Sequence, residues 1–159
     1  MEDIPGSVGD PILVDFAGHR FMGGSRDHTD YLLYRSHDET EAITMTTGAF
    51  QGLEDGFFAV AVGVQHAGCG SLRIAAGLEH TAEISGDACM TARIARGDEG
   101  LVLVPIGEGG DAGSVLAVYP HQQGDSPAFL NMRLLATTAE FRAGCTGMLC
   151  DEGHGDVEA

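Results

Sequence analysis

The stretch formed by residues 57–64 constrains the fold more than any other part of the chain. It reads Phe-Phe-Ala-Val-Ala-Val-Gly-Val, which has the period of two that is typical of a β-strand. One face of such a strand carries the larger side chains Phe58, Val60, Val62 and Val64. The other face carries Phe57, Ala59, Ala61 and Gly63. Because both faces are apolar, both need cover, one from a second sheet and the other from a loop or another subunit.

Similar short alternating segments recur along the chain at a spacing of about ten residues and are separated by glycine-rich turns such as Gly86-Asp87 and Gly97-Asp98. This spacing is typical of antiparallel all-β sandwiches and barrels. We therefore expect an N-terminal arm at residues 1–9, one folded all-β domain at residues 10–150 and an acidic tail at residues 151–159.

Residues 127–143 fit two structures. As a helix, the segment would begin at the cap formed by Ser126 and Pro127 and would place Leu130 and Leu134 on one face. As a strand, the same leucines belong to an alternating series that would close the sheet. Both a closing strand and a short C-terminal helix remain open at this point.

The charge of the chain excludes several functions. Asp and Glu total 24 and Lys plus Arg total 8, which gives a formal net charge of -16, and all eight basic residues are arginines. Without lysine there is no lysine-containing phosphate loop and no Schiff-base catalysis. The acidic balance also speaks against nucleic acid as a partner. Either adaptation to high salt or GC-rich coding would explain the lack of lysine.

The N-terminus is acidic and contains Pro5, and no run approaches the roughly 18 apolar residues of a membrane helix. We therefore expect neither a signal peptide nor membrane association. Without secretion, cysteines are usually reduced thiols. We expect this for the four cysteines, with a Cys145–Cys150 bridge as the alternative. They are Cys69, Cys89, Cys145 and Cys150.

The best candidate for a metal site combines Cys145, Cys150 and His154, but structural zinc sites usually use closer cysteine pairs. The acidic loop at residues 107–113 offers oxygen ligands for calcium without matching a calcium-loop pattern. No His-x-His motif of the cupin type occurs. We expect no metal and no cofactor.

Candidate catalytic residues are few. Gly124-Asp125-Ser126 resembles the nucleophile block of the GDSL hydrolases, and Asp151 with His154 resembles their closing dyad. In that family the serine follows the first strand of an α/β domain and the dyad lies far downstream, whereas here the serine comes late. Residues 36–38 read Ser-His-Asp, but neighbours in sequence cannot aim at one another as a triad must. We expect no enzyme, with a small GDSL-like hydrolase as an alternative.

Residues 46–64, with Thr-Gly-x-Phe followed by Gly-Phe-Phe and a long apolar strand, resemble the tumour necrosis factor and complement globular-head superfamily. Residues 96–103, with Gly-Asp leading into another strand, are similar to a second motif of that family. The resemblance implies a jelly roll of ten strands that assembles as a compact homotrimer and has no active site.

Elimination and this resemblance together lead to a structural or interaction protein, most simply a virion decoration (cement) protein or a fibre knob on the outer surface of a particle. Its partners would be itself and capsid or other virion proteins, and a cytoplasmic location is the alternative. The trimer interface or core strand would contain Phe57, Phe58, Val60, Val62 and Val64. A carbohydrate-binding module is a second alternative; it would need a surface platform of aromatic side chains, for which Tyr31, Tyr34 and Tyr119 are few.

Overall fold

The computed structural model describes residues 6–8, 12–18, 20–22, 29–49, 57–77, 79, 81–106, 114–122, 128–135 and 139–150. These residues form two antiparallel sheets that enclose one apolar core. The prediction of an all-β sandwich is therefore confirmed. No helix among the residues described is long and apolar enough to cross a bilayer.

Seven strands form the larger sheet: β1 (Gly6–Val8), β2 (Ile12–Val14), β3 (Arg20–Met22), β9 (Ala95–Arg96), β10 (Val102–Pro105), β11 (Val115–His121) and β12 (Phe129–Leu135). Their order across the sheet is β3-β2-β1-β12-β11-β10-β9. Five strands form the smaller sheet in chain order: β4 (Asp30–Arg35), β5 (Glu41–Ala49), β6 (Phe57–His66), β7 (Gly70–Ala76) and β8 (Ala82–Gly86). The helical elements are α1 (Ala88–Thr91), α2 (Ala139–Arg142) and a 3₁₀ turn at Asp98–Gly100.

The chain enters the larger sheet, crosses once to build the whole smaller sheet, and then returns. Successive strands are thus neighbours within one sheet, as in a meander. A jelly roll instead interlocks two Greek keys, so that connections pass repeatedly between its sheets. The jelly-roll part of the expectation is not confirmed by this strand order.

The segment with two possible structures forms strand β12, and the helix is limited to the single turn of α2. Every residue of β12 has a partner in β11, from Val115 opposite Leu135 to His121 opposite Phe129. On its other side β12 pairs with β1. Since an isolated short helix is marginal in water, the hydrogen bonds and burial supplied by two flanking strands outweigh the local helix propensity.

Strand β6 forms as predicted, but its alternation changes at Val60. Thr46 of β5 pairs with Ala61 and Thr47 pairs with Ala59, so Val60 is an extra residue in β6. Such a bulge reverses the faces of the residues that precede it. Ala59 consequently packs into the core, and the prediction of one common face for the larger side chains is wrong.

The four cysteines form two disulfides, so the expectation of reduced thiols is wrong. Cys69, in the turn between β6 and β7, is bonded to Cys89 in α1. Cys145 is bonded to Cys150, the pairing that the sequence left open. The first bond depends on tertiary structure, because β7 and β8 bring the turn and α1 together across 20 residues of sequence.

Candidate functional site

The outer face of the larger sheet is defined by the residues that alternate with its core residues. In the central strands β11 and β12 the core residues are Leu116, Val118, Leu130, Met132 and Leu134. The intervening side chains therefore point away from the smaller sheet. This surface is the candidate site.

One row of residues crosses this face from edge to edge, through all seven strands. In spatial order, as set by the strand register, it consists of Arg20, Val14, Gly6, Arg133, Ala117, Leu103 and Ala95. Arg133 stands near the middle of the row between two small cross-strand partners, Gly6 and Ala117, which like Val14 are buried within the single chain. Its side chain is exposed, and its guanidinium carbon lies 5.9 Å from the centre of the Tyr119 ring.

A second row beside it is apolar. Pro105, Val115 and Leu135 are paired in register across β10, β11 and β12. Pro105 is exposed, and the other two are half-buried. Together with Leu103 of the first row, they place aliphatic surface in contact with solvent.

The charge of the two sheets differs. None of the seven strands of the larger sheet contains Asp or Glu, although the chain has 24 of these residues. Those strands contain three arginines, Arg20, Arg96 and Arg133. The strands of the smaller sheet contain Asp30, Glu41 and Glu83 together with two arginines, Arg35 and Arg73. Arg20 and Arg133 belong to the row on the outer face, whereas Arg96 pairs with the core residue Val102 and lies on the opposite face. The strands of the larger sheet therefore contribute apolar side chains and no carboxylate to its outer face.

The residues predicted to form either a trimer interface or a core strand lie in β6. Val62 and Val64 are in the core, whereas Phe58 and Val60 are half-buried, and the side chain of Phe57 lies outside the described part of the chain. Phe58 packs on Phe129 of β12, with 4.8 Å between ring centres.

The second face of β6 is covered within a single chain. Ala61 is only 1% exposed and lies between its cross-strand partners Thr46 and Ala75. Ala61 is therefore sheltered without a second subunit, whereas Val60 and Gly63 are half-buried and Gln65 is exposed.

Residues 36–38 form a turn between β4 and β5. One carboxylate oxygen of Asp38 accepts hydrogen bonds from the hydroxyl of Ser36 at 2.8 Å and from the hydroxyl and amide of Thr40 at 2.7 and 3.1 Å. These bonds from Thr40 and Ser36 lower the pKa of Asp38. The carboxylate thus stabilises the turn.

Other sequence candidates lose their support or fall outside the structure. Cys145 and Cys150 are bonded to each other and cannot act as thiolate ligands of a metal. Ser126, Asp151, His154 and the loop at residues 107–113 lie outside the described residues. Within the described ranges, no three His, Cys, Asp or Glu residues are grouped so that they could hold a metal.

The aromatic platform of a carbohydrate-binding module is not formed by the three tyrosines. Tyr31 and Tyr34 are 0% and 1% exposed, because both point into the core. Only Tyr119 is accessible, on the outer face of the larger sheet. A lone half-buried tyrosine does not provide the flat surface that a sugar ring stacks on.

The outer face is not predictable from the apolar alternation of single strands, because its character depends on the charges of strands that are distant in sequence. The strands β10, β11 and β12 lack acidic residues, but β6 and β7 of the smaller sheet lack them as well, so this feature alone does not identify the surface. Placing these strands side by side required the fold.

No family model matches this chain, and no curated protein sequence matches it. The function therefore has to be argued from the outer face itself.

Proposed function

We propose that the protein is a non-enzymatic association module that forms a homotrimer through the outer face of the larger sheet. The observation that supports this most directly is the combination of exposed apolar side chains with a complete lack of carboxylates in the strands of that sheet. Copies with a net charge of -16 repel one another, and the repulsion is weakest where carboxylates are missing.

The apolar row supplies the driving force. Burial of apolar surface contributes about 25 cal/mol per Å², and a stable interface buries about 800 Å² on each partner. Pro105, Val115 and Leu135 form the apolar part of such a patch, and Leu103 extends it across the neighbouring row.

The disulfides support a location outside a reducing cytosol, since disulfides persist mainly in oxidising surroundings. A position on the outer surface of a virion, as a decoration protein or fibre knob in contact with capsid or other virion proteins, agrees with this. We propose that location in preference to the cytoplasm. Detection of the chain in purified particles by mass spectrometry, with both disulfides intact, is the expected result; its presence only in infected-cell cytosol would contradict the proposed location.

Sedimentation velocity of the purified chain tests the association. We expect a species with the mass of three 16.6 kDa chains, and a monomer at all concentrations would overturn the proposal. Leu135→Glu should convert the trimer into folded monomers by placing a carboxylate in the apolar row. Gln65→Glu, on an exposed site of β6, is the matched control and should leave the trimer intact. Circular dichroism verifies that both variants remain folded.

A further inference from the structure

We propose that the Cys145–Cys150 disulfide is a redox switch at the β4 edge of the smaller sheet. The bond holds residues 145–150, here called the disulfide loop, on β4. Its reduction by a dithiol lets the disulfide loop open and exposes the edge of the sheet. The proposal goes beyond the association of subunits, since every contact that supports it lies within one chain.

The disulfide loop pairs with β4 as a neighbouring strand would. The Arg35 amide donates a hydrogen bond of 2.7 Å to the Thr146 carbonyl oxygen, and the Thr146 amide donates one of 2.9 Å to the Arg35 carbonyl oxygen. This reciprocal pair is an antiparallel bridge on the side of β4 that faces away from β5. The disulfide loop thereby satisfies backbone groups that a bare sheet edge would present to other chains.

A bulge in β4 gives the disulfide loop two further acceptors. The register of β4 shifts between Leu32 and Tyr34, so Leu33 is an extra residue in this edge strand. The Met148 amide donates a hydrogen bond of 3.0 Å to the Leu32 carbonyl oxygen. The Leu149 amide donates one of the same length to the next carbonyl oxygen, that of Leu33. Because successive carbonyl groups of a regular strand point to opposite sides, the disulfide loop is matched to the bulged edge.

The backbone of the disulfide loop is costly to hold in this shape without the bond. Gly144, just before the loop, and Gly147, within it, have φ angles of +65° and +119°. Glycine loses more conformational freedom on ordering than any other residue. A disulfide that closes so short a loop removes part of this freedom in advance, and in the chain-entropy model its loss favours the open form by about 30-fold.

The segment before the disulfide loop is held independently of the bond. Phe141 of α2 is only 8% exposed and packs in the core. The Ala143 amide bonds to the Ala139 carbonyl oxygen at 2.9 Å within the same helical turn. Opening of the disulfide loop therefore leaves α2 in place, and Gly144 is the hinge at which the chain turns away.

The bond is accessible to a reductant, because Cys145 and Cys150 are half-buried rather than buried. One thiolate of a dithiol attacks a sulfur of the bond and forms a mixed disulfide, which releases the other cysteine as a thiolate. The second thiol of the reductant then displaces the protein sulfur, and the reductant leaves as a cyclic disulfide. The reductant loses two electrons, and its two protons convert both cysteines to thiols.

Reducing and oxidising surroundings therefore give the chain two forms. In oxidising surroundings the disulfide loop is closed, and Met148 and Leu149, each 1% exposed, are covered. In a reducing compartment the loop opens about 30-fold more often, and the bulged edge of β4 becomes available.

Native-state hydrogen exchange, measured by NMR on the full chain, tests the proposal. With dithiothreitol as the reductant, the amides of Thr146, Met148 and Leu149 should exchange about 30-fold faster than in the oxidised protein. Their exchange should respond weakly to urea, because a local opening exposes little surface, whereas the amides of β12 should respond steeply. If the loop amides of the reduced protein exchange with the same free energy and urea dependence as those of β12, only global unfolding releases the loop and the proposal is wrong.

A pair of double variants separates the two disulfides. Cys145→Ser/Cys150→Ser should reproduce the fast exchange of the loop amides without reductant. Cys69→Ser/Cys89→Ser, which removes the bond between the β6–β7 turn and α1, is the matched control. It should leave the loop amides at the wild-type rate, since a local opening at β4 does not involve that bond. Equal acceleration of the loop amides in both variants would contradict the proposal.

Reversibility provides a measurement that needs no substitution. Reoxidation of the reduced wild-type chain should restore slow exchange in the disulfide loop together with the loss of alkylatable Cys145 and Cys150. A bond that dithiothreitol cannot reduce while circular dichroism shows folded sheets would overturn the proposal. A chain that never associates would overturn the homotrimer alone, because loop opening is measured within one chain.

Discussion

The ring of Tyr34 lies flat on the ring of Phe141, with 4.2 Å between the ring centres and 3° between the planes, and its hydroxyl donates a hydrogen bond of 2.6 Å to the Phe141 carbonyl oxygen. Phe16, just after β2, packs edge-on against both rings at 6.1 Å. Stacked and edge-on aromatic pairs are favourable beyond the area that they bury. These contacts join both sheets to the segment after β12.

That segment, residues 139–150, is called the C-terminal strap here. The Thr146 amide donates a hydrogen bond to the Arg35 carbonyl oxygen, and the Arg35 amide donates one to the Thr146 carbonyl oxygen. The Met148 amide donates to the Leu32 carbonyl oxygen at 3.0 Å. The Phe16 amide bonds to the Leu149 carbonyl at 2.9 Å, which ties the strap to the other sheet. The strap thereby satisfies the backbone groups of the β4 edge that would otherwise invite association with another chain.

Tyr34→Phe should lower the free energy of unfolding by about 1–2 kcal/mol, because it preserves the ring stack but leaves the Phe141 carbonyl without this donor. Urea denaturation followed by circular dichroism measures the change. Tyr119→Phe, on the accessible outer face, is the control and should change the free energy of unfolding by less than about 0.5 kcal/mol. Equal effects of the two substitutions would contradict a special role of the Tyr34 hydroxyl.

The stability of the protein should fall at high pH because of Tyr34. Burial raises the pKa of Tyr34, and the negative charges of Glu41 and Asp38 raise it further. In the unfolded chain a tyrosine loses its proton at a pH of about 10. The contribution of this group is therefore fully present below about pH 10 and is lost as the pH rises above it, by up to about 1.4 kcal/mol per pH unit. The free energy of unfolding, measured by urea denaturation between pH 9 and about pH 11, should become more similar in wild type and Tyr34→Phe as the pH rises. A constant difference across this range would show that Tyr34 ionises equally in the folded and the unfolded state.

Gly147→Ala should detach the strap from β4. The φ of Gly147 is +119°, and a Cβ there would come within 2.6 Å of the Leu33 carbonyl carbon, so both strain and collision oppose the substitution. We expect a loss of about 2 kcal/mol or more in the free energy of unfolding and faster hydrogen exchange at the amides of the strap. Gly68→Ala is the matched control: its φ is +86°, but no atom lies within 4 Å of the added Cβ, so only the smaller cost of about 1 kcal/mol should appear. A loss at Gly147 no larger than that at Gly68 would contradict the close approach to Leu33.

The two disulfides should contribute separately to stability. Replacing Cys145 and Cys150 by serine should cost about 2 kcal/mol, and replacing Cys69 and Cys89 should cost about 3 kcal/mol, because the second bond closes a longer loop of the unfolded chain. Thiol titration of the unfolded, unreduced protein should detect no free thiol, because all four cysteines are bonded. Four reactive thiols in that titration would contradict both disulfides.

Much of the architecture is predictable because strands are encoded locally. The alternation in residues 57–64 and the glycine turns indicate an all-β sandwich, and β6 forms at the expected position. The bulge at Val60 is not predictable in this way, since it depends on how β5 pairs with β6. A single extra residue in one strand reverses the faces on one side of it, so the local pattern assigns Phe58 to the wrong environment.

The candidate surface and the C-terminal strap also depend on contacts between residues that are distant in sequence. Arg133 of β12 and Leu103 of β10 become members of one row only because β11 lies between their strands and pairs Ala117 in register with both. Tyr34 and Phe141 stack although 107 residues separate them. Neither relationship leaves a trace in local periodicity, since each depends on contacts between distant parts of the chain.

The amino-acid sequence alone determines the strand-rich character, the acidic surface and the absence of every chemistry that needs lysine, because these follow from composition and short-range alternation. The tertiary structure decides which cysteines are bonded, that residues 129–135 are a strand, and that seven strands without carboxylates share one sheet. The physical reason is that pairing between strands and bonding between distant cysteines are non-local, so their energies are realised only when the whole sandwich is assembled.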